Sequence, residues 1–220
     1  MGKIIVHVGY PKTGSTFLQK DVFPKIKNVN FLTNDLNNFD FKNVKKDKLN
    51  ILSREGLFGL PHESDLKTGY QRINEIKKNF PDAHIILIIR EKKPWIKSLY
   101  KQYITGGGKY NFKKWFLNNF DLGFLDYEKN IKYLEKNFKQ VLVLKFENLK
   151  KDPDKFVKDI CDFIGVEVPK YENKIRGKSP SKTTLTLIRF VNHFFKAYKP
   201  YRKMKRWLFR KKYNKIQNNK

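Results

Sequence analysis

The sequence predicts an α/β domain with a central parallel sheet of four to five strands and helices on both faces. Two observations lead to this prediction. Short runs rich in isoleucine and valine alternate along the chain with longer stretches whose apolar residues recur at helical spacing. Strands and helices that alternate in this way favour a parallel sheet covered by its connecting helices. A chain of 220 residues has room for one such domain with an appendage, and two large domains are excluded.

The predicted elements follow from these two patterns. The strand candidates are short apolar runs: Lys3–Val8, Asn50–Ser53, His84–Ile89 and Val141–Phe146. The helix candidates have apolar residues every three or four positions: Ser15–Ile26, Leu66–Phe80, Pro94–Thr105, Phe124–Asn137, Pro153–Gly165 and Thr183–Lys199. Proline near the start of two of these stretches and glycine at the end of one are typical of helix boundaries.

Composition excludes several classes of protein. With 40% hydrophobic and 15% aromatic residues, the chain is too apolar to be disordered. A single cysteine, Cys161, excludes an internal disulfide and a metal site built from cysteines. No apolar run reaches the roughly 18 residues of a membrane span, and the first residues do not form a signal peptide. We therefore expect a soluble, cytoplasmic protein.

Positive charge is concentrated at the C-terminal end. The chain has 48 basic and 21 acidic residues, and Arg176–Lys220 contains 15 lysines and arginines and no acid. We predict a domain over 1–182 and a basic helical extension over 183–220. Tyr201–Ile216 mixes aromatic and basic residues, as in segments that lie on an anionic membrane or another polyanion. A solvated arm is the alternative, and no sequence-specific binding of nucleic acid is expected.

A phosphate-binding loop is predicted between the first strand and the first helix. The sequence GYPKTGST begins at Gly9, and its backbone N–H groups and helix dipole can hold an anion there. It is close to the nucleotide-binding pattern G-x-x-x-x-G-K-[ST]. Ser15 replaces the lysine of that pattern, and Lys12 brings the positive charge into the loop.

A second anion site is predicted after the strand His84–Ile89. This strand ends in Arg90, where a nucleotide hydrolase would place an acid that helps to hold magnesium. Ser98 follows eight residues later on the next helix, so its hydroxyl and the arginine can converge on a second phosphate. Two anion sites suit one doubly phosphorylated ligand, and we expect no metal.

Three segments resemble motifs of the sulfotransferases. YPKTGSTFLQ is similar to the family's 5′-phosphosulfate loop, and FPDAHIILIIREKKPWIKSLY is similar to its 3′-phosphate motif. VLVLKFENLKKDP followed by FIGV resembles the segment after the fourth core strand. The sequence REKKPW departs from the family, many of whose members have proline soon after the arginine.

The resemblance implies the nucleotide-hydrolase-like (P-loop) sulfotransferase fold and a chemistry. The donor would be 3′-phosphoadenosine 5′-phosphosulfate (PAPS), and the sulfuryl group would pass in line to an acceptor hydroxyl without metal. Lys12 would stabilise charge on the leaving phosphate, while Arg90 and Ser98 would bind the 3′-phosphate. The loop residues expected to hold the 5′ group are Lys12, Thr13, Gly14, Ser15, Thr16 and Phe17. A later basic loop, comprising Arg176, Gly177 and Lys178, resembles another nucleotide-binding segment.

The general base is open between two residues, or neither. Glu55 follows a predicted strand beside Gly56, and glycan-modifying members of the family use a glutamate there. His62 resembles the histidine base of small-molecule members. Glu55 is preferred, which favours a hydroxyl of a glycan or glycolipid as acceptor. A nucleotide kinase and a polyanion-binding protein acting through the basic tail are the alternative functions, and the oligomeric state stays open.

Overall fold

A five-stranded parallel sheet organises the chain. The computed structural model describes residues 2–33, 41–61, 65–172 and 180–194. The strands are β1 (Ile4–Gly9), β2 (Val29–Leu32), β3 (Leu49–Glu55), β4 (His84–Ile89) and β5 (Gln140–Lys145). Their order in the sheet is β2-β3-β1-β4-β5, and every neighbouring pair is parallel. The predicted α/β class and parallel sheet are confirmed.

Eight helices are described, and most of them match the predicted stretches. They are α1 (Ser15–Phe17), α2 (Leu66–Asn79), α3 (Lys92–Thr105), α4 (Phe112–Asn119), α5 (Tyr127–Asn137), α6 (Phe146–Lys151), α7 (Pro153–Ile164) and α8 (Lys182–Phe194). Within the described ranges, none of the helices is long and apolar enough to cross a membrane. The predicted helix Thr183–Lys199 is described as far as Phe194, and its last five residues lie outside the described part of the chain.

The first helix differs from its predicted form. The stretch Ser15–Ile26 is an α-helix only over Ser15–Phe17, and continues as a π turn over Leu18–Val22 and a 3₁₀ turn over Phe23–Lys25. Pro24 lies in that last turn and has no N–H to donate. The helical ladder therefore cannot continue as regular α-helix through this position.

Three short elements were not predicted, and one predicted helix is divided. The new elements are β2, α4 and α6. In the predicted helix Phe124–Asn137, residues Leu122–Leu125 form a 3₁₀ turn and α5 begins only after Asp126. The Asp126 carboxylate accepts a hydrogen bond from the Lys129 N–H at 3.1 Å, which caps a new helix there.

The core lies against the central strands. All six residues of β1 are buried, as are the four inner residues of β4. An aliphatic and aromatic cluster joins the strands to α7 and to the segment that follows α1. Its α7 members recur at helical spacing: Phe156, Val157, Ile160, Cys161 and Ile164. Cys161 is a free, buried thiol whose pKa is raised to about 11 by burial.

The chain divides into two compact units. One comprises Met1–Leu99 and Lys114–Gly177 and contains the sheet, while the other comprises Tyr100–Lys113 and Lys178–Lys220. Within the second unit, the buried Asn192 amide on α8 donates to the carbonyls of Ile104 at 2.9 Å and Gly108 at 2.8 Å. The predicted boundary after residue 182 stays a prediction.

Candidate active site

The order of the strands creates a crevice at one edge of the sheet. From β1 the chain passes to β2 and β3 on one side, and then to β4 and β5 on the other. In parallel sheets, ligands bind outside the carboxyl ends of the strands where this direction reverses. Lys12 follows β1, Glu55 ends β3 and Arg90 follows β4, so three predicted site residues lie at that edge.

The loop after β1 has an unusual backbone conformation. Lys12 has φ 64° and Gly14 has φ 92°, both in the left-handed region. For Lys12 this costs on the order of 1–2 kcal/mol, which neighbouring contacts must offset. The indole N–H of buried Trp95 donates to the Pro11 carbonyl at 2.7 Å, and the Thr13 hydroxyl donates to the Tyr10 carbonyl at 2.6 Å. The loop is thus held in one shape before any ligand arrives.

The peptide groups of Lys12 are held from both neighbouring strands. The Lys12 N–H donates to Glu55 Oε1 at 3.2 Å, and Arg90 donates through one guanidinium N–H to the Lys12 carbonyl at 2.9 Å. Residues 43 and 78 positions from Lys12 therefore meet at one loop. The Lys12 side chain itself is exposed, and its ammonium group is available to a ligand.

The helix that begins after this loop has no cap from its own chain. Gly14 occupies the N-cap position and offers no side-chain hydrogen bond. The first N–H groups of a helix have no acceptor within the helix, so here they can hold an anion. The positive φ of Gly14 favours glycine, and a Cβ there would lie 2.7 Å from Leu149 Cδ2, so the leucine side chain would have to shift.

The predicted phosphate-binding hydroxyls are placed differently from one another. The Thr13 hydroxyl is used within the loop, as described above. Ser15 is buried and its Oγ has no hydrogen-bond partner among the described residues, whereas Thr16 is exposed. Phe17 is half-buried and packs edge-on against Tyr171, with ring centroids 5.6 Å apart. Within the described loop, the Thr16 hydroxyl is therefore open to a ligand, whereas the Ser15 hydroxyl is unpaired but buried.

Arg90 is fixed by groups from several elements. Its guanidinium lies 4.6 Å from the centroid of the Phe146 ring, and its backbone carbonyl accepts from the Tyr127 hydroxyl at 2.7 Å. Burial lowers the pKa of Arg90, an effect that the nearby Glu147 carboxylate opposes. In the described part of the chain, Arg90 Nε and Glu147 Oε2 are buried without hydrogen-bond partners, so Arg90 keeps one donor for a ligand beside β4.

The other predicted site residues are not all brought to this point. Ser98 lies half-buried in the second turn of α3, and among the described residues it has no hydrogen-bond partner. His62, Arg176, Gly177 and Lys178 lie outside the described residues. The described ranges contain no cluster of three or more histidine, cysteine or acidic residues that could hold a metal ion.

Two residues that shape the site were not among the predicted site residues. Trp95 and Tyr127 fasten the backbone of the loop and of Arg90, over separations of 84 and 37 residues. The position of Trp95, five residues after Arg90 near the start of α3, was a usable signal. Nothing local marks Tyr127.

Comparison with known proteins is consistent with this geometry. The family model of the sulfotransferase domain matches residues 3–187. A search of curated proteins finds no match. A sulfotransferase crystal structure from Alicyclobacillus acidocaldarius has a TM-score of 0.59 at 15% identity, covering 87% of this chain and 93% of that chain. Mouse sulfotransferase SULT7A1, solved in complex with PAP, has a TM-score of 0.53 at 19% identity.

The match to the mouse protein covers 86% of this chain but only 63% of the mouse chain. At these identities, the two structures show a shared fold. The family model spans most of the sequence, including β1 with its loop, β4 with Arg90 and the elements up to α8. The chain therefore belongs to the sulfotransferase domain family, and it is a sulfotransferase.

Proposed function

We propose that the protein moves the sulfuryl group of PAPS to an acceptor hydroxyl by direct in-line transfer. The observation that carries this proposal is the meeting of Lys12, Glu55 and Arg90 around the uncapped start of α1. The mouse relative was solved with PAP, the nucleotide that remains after a sulfuryl group has left PAPS. The family assignment favours this chemistry over that of a nucleotide kinase.

The residues present suit a donor with two anionic groups. The first N–H groups of α1, with the Ser15 and Thr16 hydroxyls, would hold the 5′ group. Arg90 would bind the 3′-phosphate, since it is partly desolvated and its Nε is unpaired. Ser98 on α3 is the second proposed 3′-phosphate ligand. Arg176, Gly177 and Lys178 remain proposed nucleotide contacts from the resemblance alone.

The transfer exchanges one sulfur–oxygen bond for another. The acceptor oxygen attacks sulfur while the bond to the 5′-phosphate oxygen breaks, and the bisphosphate leaves with the bonding electrons. The Lys12 ammonium would stabilise the charge that develops on that oxygen. A sulfuryl group carries less negative charge than a phosphoryl group, so lysine, arginine and a helix terminus can serve without a metal ion.

Glu55 is the proposed general base. One carboxylate oxygen, Oε1, accepts from the Lys12 N–H, which leaves Oε2 for the proton of the acceptor hydroxyl. The base would then be fixed to the same loop that holds the donor. His62 remains the second candidate. The position of Glu55 supports a glycan or glycolipid acceptor, with the basic C-terminal tail as a contact to an anionic surface. The cytoplasmic location stays a prediction from the sequence.

Calorimetric titration tests the donor site directly. Wild type should bind adenosine 3′,5′-bisphosphate in EDTA more tightly than it binds ATP with magnesium. Arg90→Ala should weaken this binding at least tenfold, because it removes the proposed 3′-phosphate ligand and a support of the Lys12 carbonyl. Lys97→Ala, which removes an exposed cation on α3, is the matched control and should bind like wild type.

Two results would contradict the proposal. Binding of ATP that depends on magnesium, with no binding of the bisphosphate, would indicate a kinase. Equal losses in Arg90→Ala and Lys97→Ala would indicate a general attraction of anions to a basic protein.

A further inference from the structure

A cluster of three polar side chains, His7, Ser53 and Gln19, lies directly behind the phosphate-binding loop. His7 on β1 is fully buried, and its Nδ1 is 2.7 Å from Oγ of Ser53, its register partner on β3. The Gln19 side-chain amide donates to Ser53 Oγ at 3.1 Å and to the Ser53 carbonyl at 3.2 Å. The neighbouring residues of β1 are aliphatic, so three polar side chains here are costly unless they are fully hydrogen-bonded.

The hydrogen bonds of this cluster can be assigned a direction. Gln19 donates to Ser53 Oγ, and the Ser53 hydroxyl hydrogen is assigned to His7 Nδ1, since this tautomer gives that hydrogen an acceptor. Burial lowers the pKa of His7 to about 4, so the imidazole is neutral. Its one proton is therefore assigned to Nε2 by the hydrogen-bond network.

The Nε2–H of His7 faces the start of α1. A Cβ built on Gly9 would lie 3.3 Å from His7 Nε2 and 2.7 Å from Ser15 Oγ, so both atoms border the small space that glycine leaves open. Both atoms are buried and have no partner in the described part of the chain. A buried donor and a buried acceptor that face one space without bonding each incur a desolvation penalty.

We propose that His7 is a positioning residue of the donor site and acts through Ser15. When the nucleotide binds, the buried Ser15 side chain turns so that Oγ accepts from His7 Nε2–H and the hydroxyl hydrogen points at the 5′ anion. Donation runs in one direction, from Gln19 to Ser53, His7, Ser15 and finally the ligand. Because Ser15 Oγ accepts from His7, the Ser15 hydroxyl hydrogen is left for the ligand. This suits a fully ionised phosphate, which has only acceptors. This inference rests on the proposed function.

A double-mutant cycle, measured by calorimetry with adenosine 3′,5′-bisphosphate, tests the link. Ser15→Ala should weaken binding about tenfold in the wild-type background, because one charge-assisted hydrogen bond is lost. In a His7→Leu background, Ser15→Ala should cause less than a threefold further loss, since an unoriented hydroxyl contributes little. Equal losses in both backgrounds would overturn the inference, because a purely structural role of His7 leaves the contribution of Ser15 unchanged.

Two single variants distinguish the roles of the two imidazole nitrogens of His7. His7→Gln places an amide near the position of Nε2, whereas His7→Asn places it near Nδ1 and leaves Ser15 without a donor. His7→Gln should bind the bisphosphate within threefold of wild type, and His7→Asn should bind about tenfold more weakly. The reverse order of affinities would contradict the proposed direction of donation.

Nitrogen NMR of the wild-type protein does not depend on any variant folding. The His7 ring should have its proton on Nε2, and the Nε2–H resonance should move downfield when the bisphosphate is added. A proton on Nδ1, or no change at Nε2 while the nucleotide binds, would overturn this inference but not the proposed function. If wild type does not bind the bisphosphate at all, both the proposed function and this inference fail.

Discussion

Helices α1 and α7 contribute to the same hydrophobic cluster but begin in opposite ways. Helix α7 begins after Asp152, whose carboxylate accepts from the Lys155 N–H at 2.9 Å, and ends at Gly165 with φ 83°. The helical segment that starts with α1 begins after Gly14, which has no side chain to offer, and leaves regular geometry after one turn. Asp152 therefore satisfies an N–H group in the first turn of α7 with its side chain, whereas Gly14 has no side chain that could do the same for α1.

Two further helices begin as α7 does. Asp65 accepts from the Thr68 N–H at 2.8 Å at the start of α2, and Asp126 caps α5 in the same way. An aspartate at this position satisfies an N–H group and places negative charge against the helix dipole. At α1, the nearby charged groups are Lys12, Arg90 and Glu55, and the Glu55 carboxylate accepts from the Lys12 N–H of the loop rather than from an N–H of the helix. This contrast supports the proposed anion site at the start of α1.

Removal of the lysine charge in the loop should have the largest effect on this arrangement. Lys12→Met keeps an unbranched side chain but removes the ammonium that would stabilise the leaving phosphate. By analogy with the loss of one preorganised transition-state contact, turnover should fall about 10²–10³-fold. The measurement is release of adenosine 3′,5′-bisphosphate from PAPS with a mixture of sugar acceptors. Because Lys12 is exposed, the melting temperature of the Lys12→Met variant should match that of wild type.

Lys12→Arg provides the control, since it retains the positive charge, and it should keep far more activity than Lys12→Met. Near-normal turnover of Lys12→Met would show that the loop lysine is not needed for charge stabilisation. It would also remove the main chemical difference between the starts of α1 and α7.

The buried histidine behind α1 should make stability depend on pH. The folded-state pKa of His7 is lowered to about 4 by burial, below its ordinary value of 6.5. Between these values the unfolded chain binds more protons, so the free energy of unfolding should fall as pH decreases from 6.5 toward 4. At about 1.4 kcal/mol per pKa unit, the full contribution is on the order of 3 kcal/mol.

Urea denaturation at several pH values measures this effect. His7→Gln should flatten the pH dependence in that window, while His193→Gln, at an exposed position on α8, should leave the slope as in wild type. Carboxylates contribute equally in all three proteins, so the difference isolates His7. An unchanged slope in His7→Gln would show that the imidazole is not held neutral beneath the loop.

Local patterns predicted the central parts of the fold and of the site. The apolar runs at β1 and β4, the glycines of the loop and the charges of Lys12 and Arg90 are all visible in short stretches of sequence. The missed strand β2 has four half-buried residues, and α6 has no buried residue at all. Neither has a clear apolar pattern, because tertiary contacts decide such short elements.

The contacts that complete the site depend on the folded chain. Trp95 reaches the Pro11 carbonyl and Arg90 reaches the Lys12 carbonyl only after the parallel sheet has placed β1 beside β4. The positive φ of Lys12 likewise cannot be predicted from the residue type, since lysine rarely adopts this conformation. The sequence could propose which residues act, but not which carbonyls and amides hold them.

The smallest predicted effect concerns Asp152, which caps α7, and tests the other half of the comparison between α1 and α7. Asp152→Ala removes the carboxylate that accepts from the Lys155 N–H, so the free energy of unfolding should fall by about 1 kcal/mol. For a chain of this size, that lowers the melting temperature by roughly 2–4 °C. Asp152→Asn retains an accepting oxygen at the same position and should stay close to wild type.

The same variants show whether the two helix starts are independent. Adenosine 3′,5′-bisphosphate should raise the melting temperature of Asp152→Ala by as much as that of wild type, because the cap of α7 is not the anion site. Scanning calorimetry with and without the nucleotide measures both shifts. A smaller shift in Asp152→Ala would mean that the two starts act together. Helix α7, which is capped by its own Asp152, would then be part of the binding site. The contrast between a helix capped by its own carboxylate and a helix that binds the anion of a ligand would not hold.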